Sequence, residues 1–429
     1  MNKHLRFTTR REFLHKSALA MAMPAIIPAR ALGRDGAVAP SNRIVLGAIG
    51  IGPRGRLVLD AFLKQPDAQF VAVCDVQASN RRTAKMMVDR KNGNQDCAAT
   101  GDMLEVLGRD DIDAVLIATG DRWHAVATML AAKAGKDVYS EKPCAMTIAE
   151  CGELDETVRR YGRVFQSGTQ RRNVANFRYA VDLARKGRLG RMHTVRASIY
   201  HLEERHDWLP AEPVPDPQVV DWDRWLGPAP WRPYNVAYVR GEWRCHADFE
   251  ARGRLLDWGA HTVDLCQWAL GMDGSTPVEF EHDQGTIRAR YANGVKLVMR
   301  LGGFNNEGQW HDLGTCPVRF EGDEGWVEVG DAAKILAEPA SLLADYRADG
   351  MAGTDPTAHV RNFLDCVKSR GTTASNSVAT RSSHVACHAA ALSWLLGRKL
   401  AFEPATESFV GDEEANRLRR RARRAPWHA

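Results

Sequence analysis

The sequence predicts an α/β protein built on a doubly wound parallel sheet. Three observations carry this. The β-rich stretch RIVLGAIG runs into a glycine loop, GIGPRG. A second β-rich run, AQFVAVCD, ends on an acid, Asp75. Beyond it, strand-like and helix-like stretches alternate up to residue 167, the pattern of a sheet with helices on both faces.

The elements follow in order. Gly50, Gly52 and Gly55 satisfy G-x-G-x-x-G between the first strand and the helical pattern GRLVLDAFLKQ. Glycines there allow a tight turn, close approach of a pyrophosphate and close helix–strand packing. The pyrophosphate would meet Pro53, Arg54 and the open helix N-terminus. Asp75 is placed to accept both ribose hydroxyls of NAD and to repel the extra phosphate of NADP. It also reads as a simple strand-end cap, and Arg81 and Arg82 could soften the choice. DIDAVLIATG, DVYSEKP and RVFQSG are strands; HAVATMLAAKAG and TIAECGELDETVRRYG are helices. Ligands bind beyond the carboxyl ends of such strands, so Thr119, His124, Glu141 and Lys142 should face the cofactor. This nucleotide-binding domain spans 43–167, and residues 168–403 form a second domain.

Three residues carry candidate chemistry. Lys142 lies at a strand end before Pro143. Asp257 and His261, in LLDWGAHTVD, share one face if that stretch is helical. Oxidising an alcohol carbon requires loss of its hydroxyl proton, which a histidine of near-neutral pKa can take. An ammonium beside the same oxygen lowers the alkoxide energy. The carboxylate can orient the imidazole or bind a sugar hydroxyl. Spacing alone slightly favours the plainer reading, a surface lysine and a satisfied buried Asp–His pair. Gln170 and Arg172, in TQRRN, lie near the domain junction and are candidate substrate contacts.

In combination, GIGPRG, CD, EKP and LLDWGAHTVD resemble the Gfo/Idh/MocA family of glucose–fructose oxidoreductase and inositol dehydrogenase. DWDRWLGPAPWRPYN, RNFLDCVKSR and GDEEANRL are similar to a group of exported bacterial members. The resemblance implies a Rossmann domain followed by an α/β domain with a large open, mostly antiparallel sheet. It implies a homodimer or homotetramer, a cis Lys142–Pro143 bond, an active-site lysine at Lys142 and a functional pair at Asp257 and His261. Its substrates are sugars, polyols and their derivatives. Two positions depart from the group. Arg252 stands where a glycine usually precedes Gly253, and Gly120 replaces the proline of ATPD.

The N-terminus adds an address. TTRREFLHK, with Arg10 and Arg11, precedes the short apolar run SALAMAMPAII and an ARA site. These are the parts of a secretory signal over 1–31, and the paired arginines resemble a twin-arginine (Tat) signal. The expected location is periplasmic or otherwise exported, with a linker at 32–42. The plainer reading is a basic amphipathic arm. Residues 202–246 form a Trp/Pro-rich insertion whose tryptophans, Trp243 among them, either stack on sugar rings or pin the loop. The net charge of +5 rests partly on the arginine-rich tail at 404–429, which reads as solvated or docked. No nucleic-acid motif accompanies it, and no zinc-type spacing suggests a metal. The nine cysteines are an odd number with no C-x-x-C pair, so they read as buried small hydrophobes. No later segment is long and apolar enough for stable membrane insertion.

The leading expectation is an NAD(P)-dependent oxidoreductase acting on a carbohydrate or polyol, with NAD favoured over NADP and tightly held. A redox-neutral glycoside hydrolase or lyase acting through transient sugar oxidation is the alternative. A non-catalytic sugar-binding protein on the same fold is the third, opposed by intact Lys142, Asp257 and His261.

Overall fold

The computed structural model of the chain describes residues 38–301 and 313–427. The signal at 1–31 and the first part of the linker lie outside the described residues. The chain divides into a leading unit, 1–43, and one large unit, 44–429. The described part of the leading unit holds a short 3-10 turn, Pro40–Asn42.

The large unit begins with alternating strands and helices: β1 (Ile44–Ile49), α1 (Pro53–Leu63), β2 (Ala68–Cys74), α2 (Ala78–Asn92), β3 (Ala98–Thr100), α3 (Met103–Leu107), β4 (Ala114–Ile117), α4 (Asp121–Lys133), β5 (Asp137–Ser140), α5 (Ile148–Arg160) and β6 (Phe165–Ser167). The six strands are parallel, in the order β3-β2-β1-β4-β5-β6. Their near-continuous apolar runs suit burial on both faces. The order reverses between β1 and β4. The glycine loop after β1 and the turn into α4 therefore open on the same crevice. Thr147 caps α5 by accepting from the Glu150 N–H, 3.3 Å away.

The rest comprises α6 (Ala175–Arg185), β7 (Met192–Ile199), α7 (Trp222–Leu226), α8 (Leu255–Leu270), β8 (Glu279–Asp283), β9 (Thr286–Arg290), β10 (Lys296–Leu301), β11 (Val318–Gly322), β12 (Gly325–Val329), β13 (Ile335–Glu338), α9 (Thr357–Ser369), α10 (Ser377–Leu396), β14 (Leu400–Glu403), β15 (Ser408–Phe409) and α11 (Glu413–Arg417). Nine strands form a second sheet in the order β13-β12-β11-β7-β10-β9-β8-β14-β15. Only β7 and β10 pair in parallel. Alternation along β11 is clear: Val318 and Phe320 are buried, while Arg319 and Glu321 are less so. α6, α8 and α10 pack over the apolar face. α8 lies between the sheet and α10 and is buried on nearly every side. Among the described residues, no helix is long and apolar enough to cross a membrane.

The domain division differs from the linear expectation in three places. First, α9 belongs to the core of the nucleotide-binding domain. Val360, Phe363 and Leu364 pack with residues of α1 and β5, Phe363 lying 6.1 Å from Phe62 and 5.9 Å from Tyr139 between ring centroids. The exposed apolar face of α1 needs a cover, and sequence order does not reveal that it arrives some 300 residues later. Second, the antiparallel sheet continues past 403 into β15, so the tail expected at 404–429 is part of the fold over its described residues, 404–427. Third, the insertion has its own small core. Trp222 and Trp225 stack at 4.7 Å beside Tyr238 and Phe249, so these two tryptophans serve packing first. Trp208 and Trp231 remain exposed. All nine cysteines are free, and only Cys245 is not buried.

Candidate active site

Two adjoining cavities occupy the crevice. The larger, about 570 Å³, runs along the glycine loop and Asp75. The smaller, about 310 Å³, contains Lys142, Asp257 and His261. Arg54, Thr119, Trp243 and Arg244 line both.

The larger cavity fits a dinucleotide. Gly50 has φ +75°, and a Cβ there would fall 2.4 Å from Thr119 Cγ2. Gly52, the N-cap of α1, has open space where its Cβ would stand, and no side chain caps this helix end. A diphosphate can therefore approach the uncapped N–H groups. Gly55 takes the helix–strand packing part expected of the loop. It does not line the cavity; its missing side chain lets α1 pack against Ala118, 3.1 Å from a Cβ position. Pro53 starts the helix and lines the cavity. Asp75 is buried and accepts from the Gln77 N–H at 2.8 Å. Burial pushes its carboxyl up to about 6. The Arg81 guanidinium donates to the Asp75 and Gln218 carbonyls, at 2.5 and 3.3 Å, and Arg81 does not line the cavity.

At the carboxyl ends of β4 and β5 the loops are tied together. Glu141, buried, accepts from Arg54 Nε at 2.9 Å and so fixes the glycine-loop arginine. Both ring nitrogens of His124 lie on backbone carbonyls, Pro143 at 2.6 Å and Thr119 at 3.1 Å. His124 thus ties the Thr119 and Lys142 loops together, and it lines the smaller cavity. The Lys142–Pro143 bond is cis.

Lys142 Nζ lies 3.0 Å from Asp257 Oδ1 and also donates to the Asp257 carbonyl. Burial opposes the Asp257 charge, but Lys142 and Arg244 outweigh it and hold the carboxyl down at about 2. Asp257 and His261 do lie one turn apart on α8, and both line the smaller cavity. The carboxylate, however, is engaged by Lys142, Arg244 and Arg254, not by the imidazole. His261 Nδ1 is buried with no hydrogen-bond partner among the described residues. Burial, then Arg171 and Lys142, push its pKa well below the usual histidine range. That direction runs against the near-neutral titration expected of His261.

Two carboxyls with raised pKa values lie in this region, Asp121 lining the smaller cavity and Glu250 lining neither cavity. Asp121 accepts from the Ala251 N–H at 3.0 Å, and burial pushes its carboxyl up to about 6. Glu250, 3.1 Å from Arg244, is pushed up to about 7 by burial and then by the Asp121 charge. Asp121 lies between Thr119 and His124, two residues expected to face the cofactor. Glu250 and Arg244 gave no sequence signal, because they reach the site from the insertion and the segment after it.

Gln170 lines the smaller cavity. It donates to the Gly353 carbonyl at 3.2 Å and leaves Oε1 buried without a partner. Arg172 lines neither cavity, contrary to expectation. Its guanidinium is consumed by Asp264 and Asp273 at 2.6–2.9 Å. Its neighbour Arg171 lines the smaller cavity instead, held bidentately by Asp331. Trp243 lines both cavities, with the Arg244 guanidinium 4.6 Å above its ring. Among the described residues, no group of three or more His, Cys, Asp or Glu is placed to hold a metal ion.

A parallel sheet with a glycine cradle at its switch point, joined to an antiparallel sheet that brings a helix to the lysine, defines a two-domain dinucleotide-binding protein. The oxidoreductase-family model of the NAD-binding Rossmann fold (GFO_IDH_MocA) matches residues 44–169. The model of that family's C-terminal alpha/beta domain matches 204–429. The chain belongs to the Gfo/Idh/MocA oxidoreductase family.

A glycosyl hydrolase family 109 protein of Shewanella sp. (strain W3-18-1) is 33% identical over 129 residues, 29% of this chain. The match spans only 28% of that relative's length. The oxidoreductase YrbE of Bacillus subtilis is 30% identical over 233 residues, 54% of this chain and 55% of YrbE. Among solved structures, aldose-aldose oxidoreductase from Caulobacter crescentus shares the fold. Its TM-score is 0.61 at 16% identity, covering 84% of this chain and all of that one (100%).

Proposed function

We propose that this protein is a nicotinamide-dependent oxidoreductase acting on a carbinol carbon of a carbohydrate or polyol, with NAD preferred and held through turnover. The observation that carries the reading is the Lys142–Asp257 pair beside an unpartnered His261 Nδ1, in a cavity that adjoins the glycine-loop cleft. Gly50, Gly52, Arg54, Thr119 and Asp75 would hold the dinucleotide. When bound, it supplies the hydride acceptor and donor.

The chain's own groups handle the proton. Lys142 presents an ammonium that lowers the energy of a developing alkoxide. Asp257 holds that ammonium in place. Burial and the neighbouring cations favour neutral His261, and in its Nε2-protonated tautomer Nδ1 offers a lone pair to the substrate hydroxyl. Gln170 Oε1 offers a further acceptor for a sugar hydroxyl.

A second reading, redox-neutral glycoside cleavage through transient oxidation, is favoured by Asp121 and Glu250. Asp121 lines the smaller cavity, and its raised pKa suits a general acid for a departing aglycone; Glu250 lines neither cavity and feels the Asp121 charge. The match to a glycosyl hydrolase family 109 protein points the same way.

The twin arginines Arg10 and Arg11 support export of the folded protein with its cofactor inside. The sheet face bearing Arg319 over Trp326, 3.7 Å from its ring centroid, is proposed as the contact of a homodimer or homotetramer.

One experiment tests the whole reading. Protein purified from native export is denatured and its released NAD(H) quantified. Intact protein is then given free sugars and glycosides without added cofactor. Near-stoichiometric NAD(H) and steady product formation are expected. Release of free sugar from glycosides, with no net NADH, would select the second reading. An empty protein that accumulates NADH only with added NAD would leave an ordinary dehydrogenase.

A further inference from the structure

We propose that the arginine-rich segment Arg419–Trp427 is a strap over the dinucleotide, with the Trp427 indole N–H donating to the adenosine half of the cofactor. The inference rests on the reading that the larger cavity holds a dinucleotide.

Two independent observations support it. Trp427 lines the larger cavity together with Asp75, and it does not line the smaller one with Lys142. Its Nε1 is buried and has no hydrogen-bond partner among the described residues. An indole has one donor and no acceptor, and burying that donor unpaired is costly. Ribose and phosphate oxygens and adenine nitrogens are the acceptors that a dinucleotide would bring.

The segment is built to deliver this ring. Arg421 donates to the Ala247 and Asp248 carbonyls at 3.2 and 3.1 Å. Arg423 pairs with Glu150 and Glu153 at the start of α5. Arg424 donates to the Gly227 and Asp223 carbonyls at 3.0 and 2.7 Å. The Trp427 backbone N–H closes a turn onto the Arg424 carbonyl at 3.0 Å. The ring then meets Trp123 edge to face, with centroids 4.7 Å apart and planes at 73°. Arginines that looked like a solvated charge run are thus fastenings, and what they position is an indole on the cofactor cavity. A contact of this kind acts chiefly on release, since affinity differences within one site fall mostly on the off-rate.

The test uses the full-length protein loaded with NADH. Release is followed by loss of nicotinamide fluorescence on chase with excess NAD. Trp427→Phe keeps an aromatic ring against Trp123 and removes only the N–H. Trp427→Ala removes both. Release is expected to quicken by about fivefold to tenfold in the phenylalanine variant, the worth of one hydrogen bond, and further in the alanine variant. A phenylalanine variant that melts like the wild type and releases NADH within twofold of its rate overturns the strap and leaves the dinucleotide reading standing. A wild type that binds no NADH overturns both. If the alanine variant does not fold, the phenylalanine variant decides.

Discussion

Lys142 and Asp257 meet across the junction of the two domains, with Nζ 3.0 Å from Oδ1. One comes from the loop after β5 of the parallel sheet, the other from the first turn of α8 on the antiparallel sheet. The pair makes the reacting end of the crevice a joint product of both domains.

Lys142→Met is expected to lower turnover by roughly two or more orders of magnitude, because the alkoxide loses its charged partner. Steady-state kinetics on the folded variant check this. The variant should also change acid stability. Asp257 is held near 2, below its unfolded value of 3.8. Its contribution is complete above pH 3.8 and disappears as pH falls through about 2. It amounts to about 2 kcal/mol. Denaturant melts at pH 7 and pH 2 should therefore differ less for the variant than for the wild type.

The near-neutral limb of the kcat/KM profile should belong to the Asp121–Glu250 pair. Both carboxyls are raised, to about 6 and about 7, so they lose protons across the neutral range while His261 stays neutral. Glu250→Gln should move or flatten the limb. His261→Asn should lower the plateau by about 100-fold and leave the limb where it is. A limb that vanishes with His261 and survives in Glu250→Gln would return the titration to the histidine.

Discrimination against NADP should depend on the charge of Asp75. Its carboxyl lies near 6, so the repulsion of a 2′-phosphate is full above that pH and fades below it. The ratio of NADP to NAD dissociation constants should shrink between pH 8 and pH 5. Asp75→Ser should show the smaller ratio at both. Direct titration of apo-protein with each cofactor measures it, and tighter NADP binding at pH 8 would refute the assignment.

The glycines should separate folding from binding. Gly50→Ala adds a Cβ in a left-handed conformation, against Thr119, and should lower the melting temperature. Gly52→Val meets open space, so the fold should survive. The branched side chain stands in the pyrophosphate approach and should weaken dinucleotide binding by about tenfold or more. Paired thermal melts and cofactor titrations distinguish the two outcomes.

Much of the first domain was legible because its signals are local. A glycine loop between a strand and a helix, an acid at the next strand end and unbroken apolar runs each depend on neighbours in the chain. The i, i+4 placement of Asp257 and His261 on α8 was legible for the same reason. Partnership was not. Whether Asp257 faces an imidazole or an ammonium depends on where β5 ends in space, and the ammonium was there. Gln170, Arg171 and Arg172 look alike on paper, yet only burial beside Asp264 and Asp273 takes Arg172 out of the cavity. The depressed basicity of His261 and the raised carboxyls of Asp121 and Glu250 arise from desolvation, which no spacing encodes. The sequence by itself determined the nucleotide-binding sheet and the cradle, because backbone geometry and periodicity are short-range properties, while the lysine, aspartate and histidine were singled out by family resemblance. Only the tertiary structure decided which charges meet, which side chains are spent on packing, and that α9 and Trp427 return to the first domain, because burial and Coulomb interactions act between residues that the fold, and not the chain, brings together.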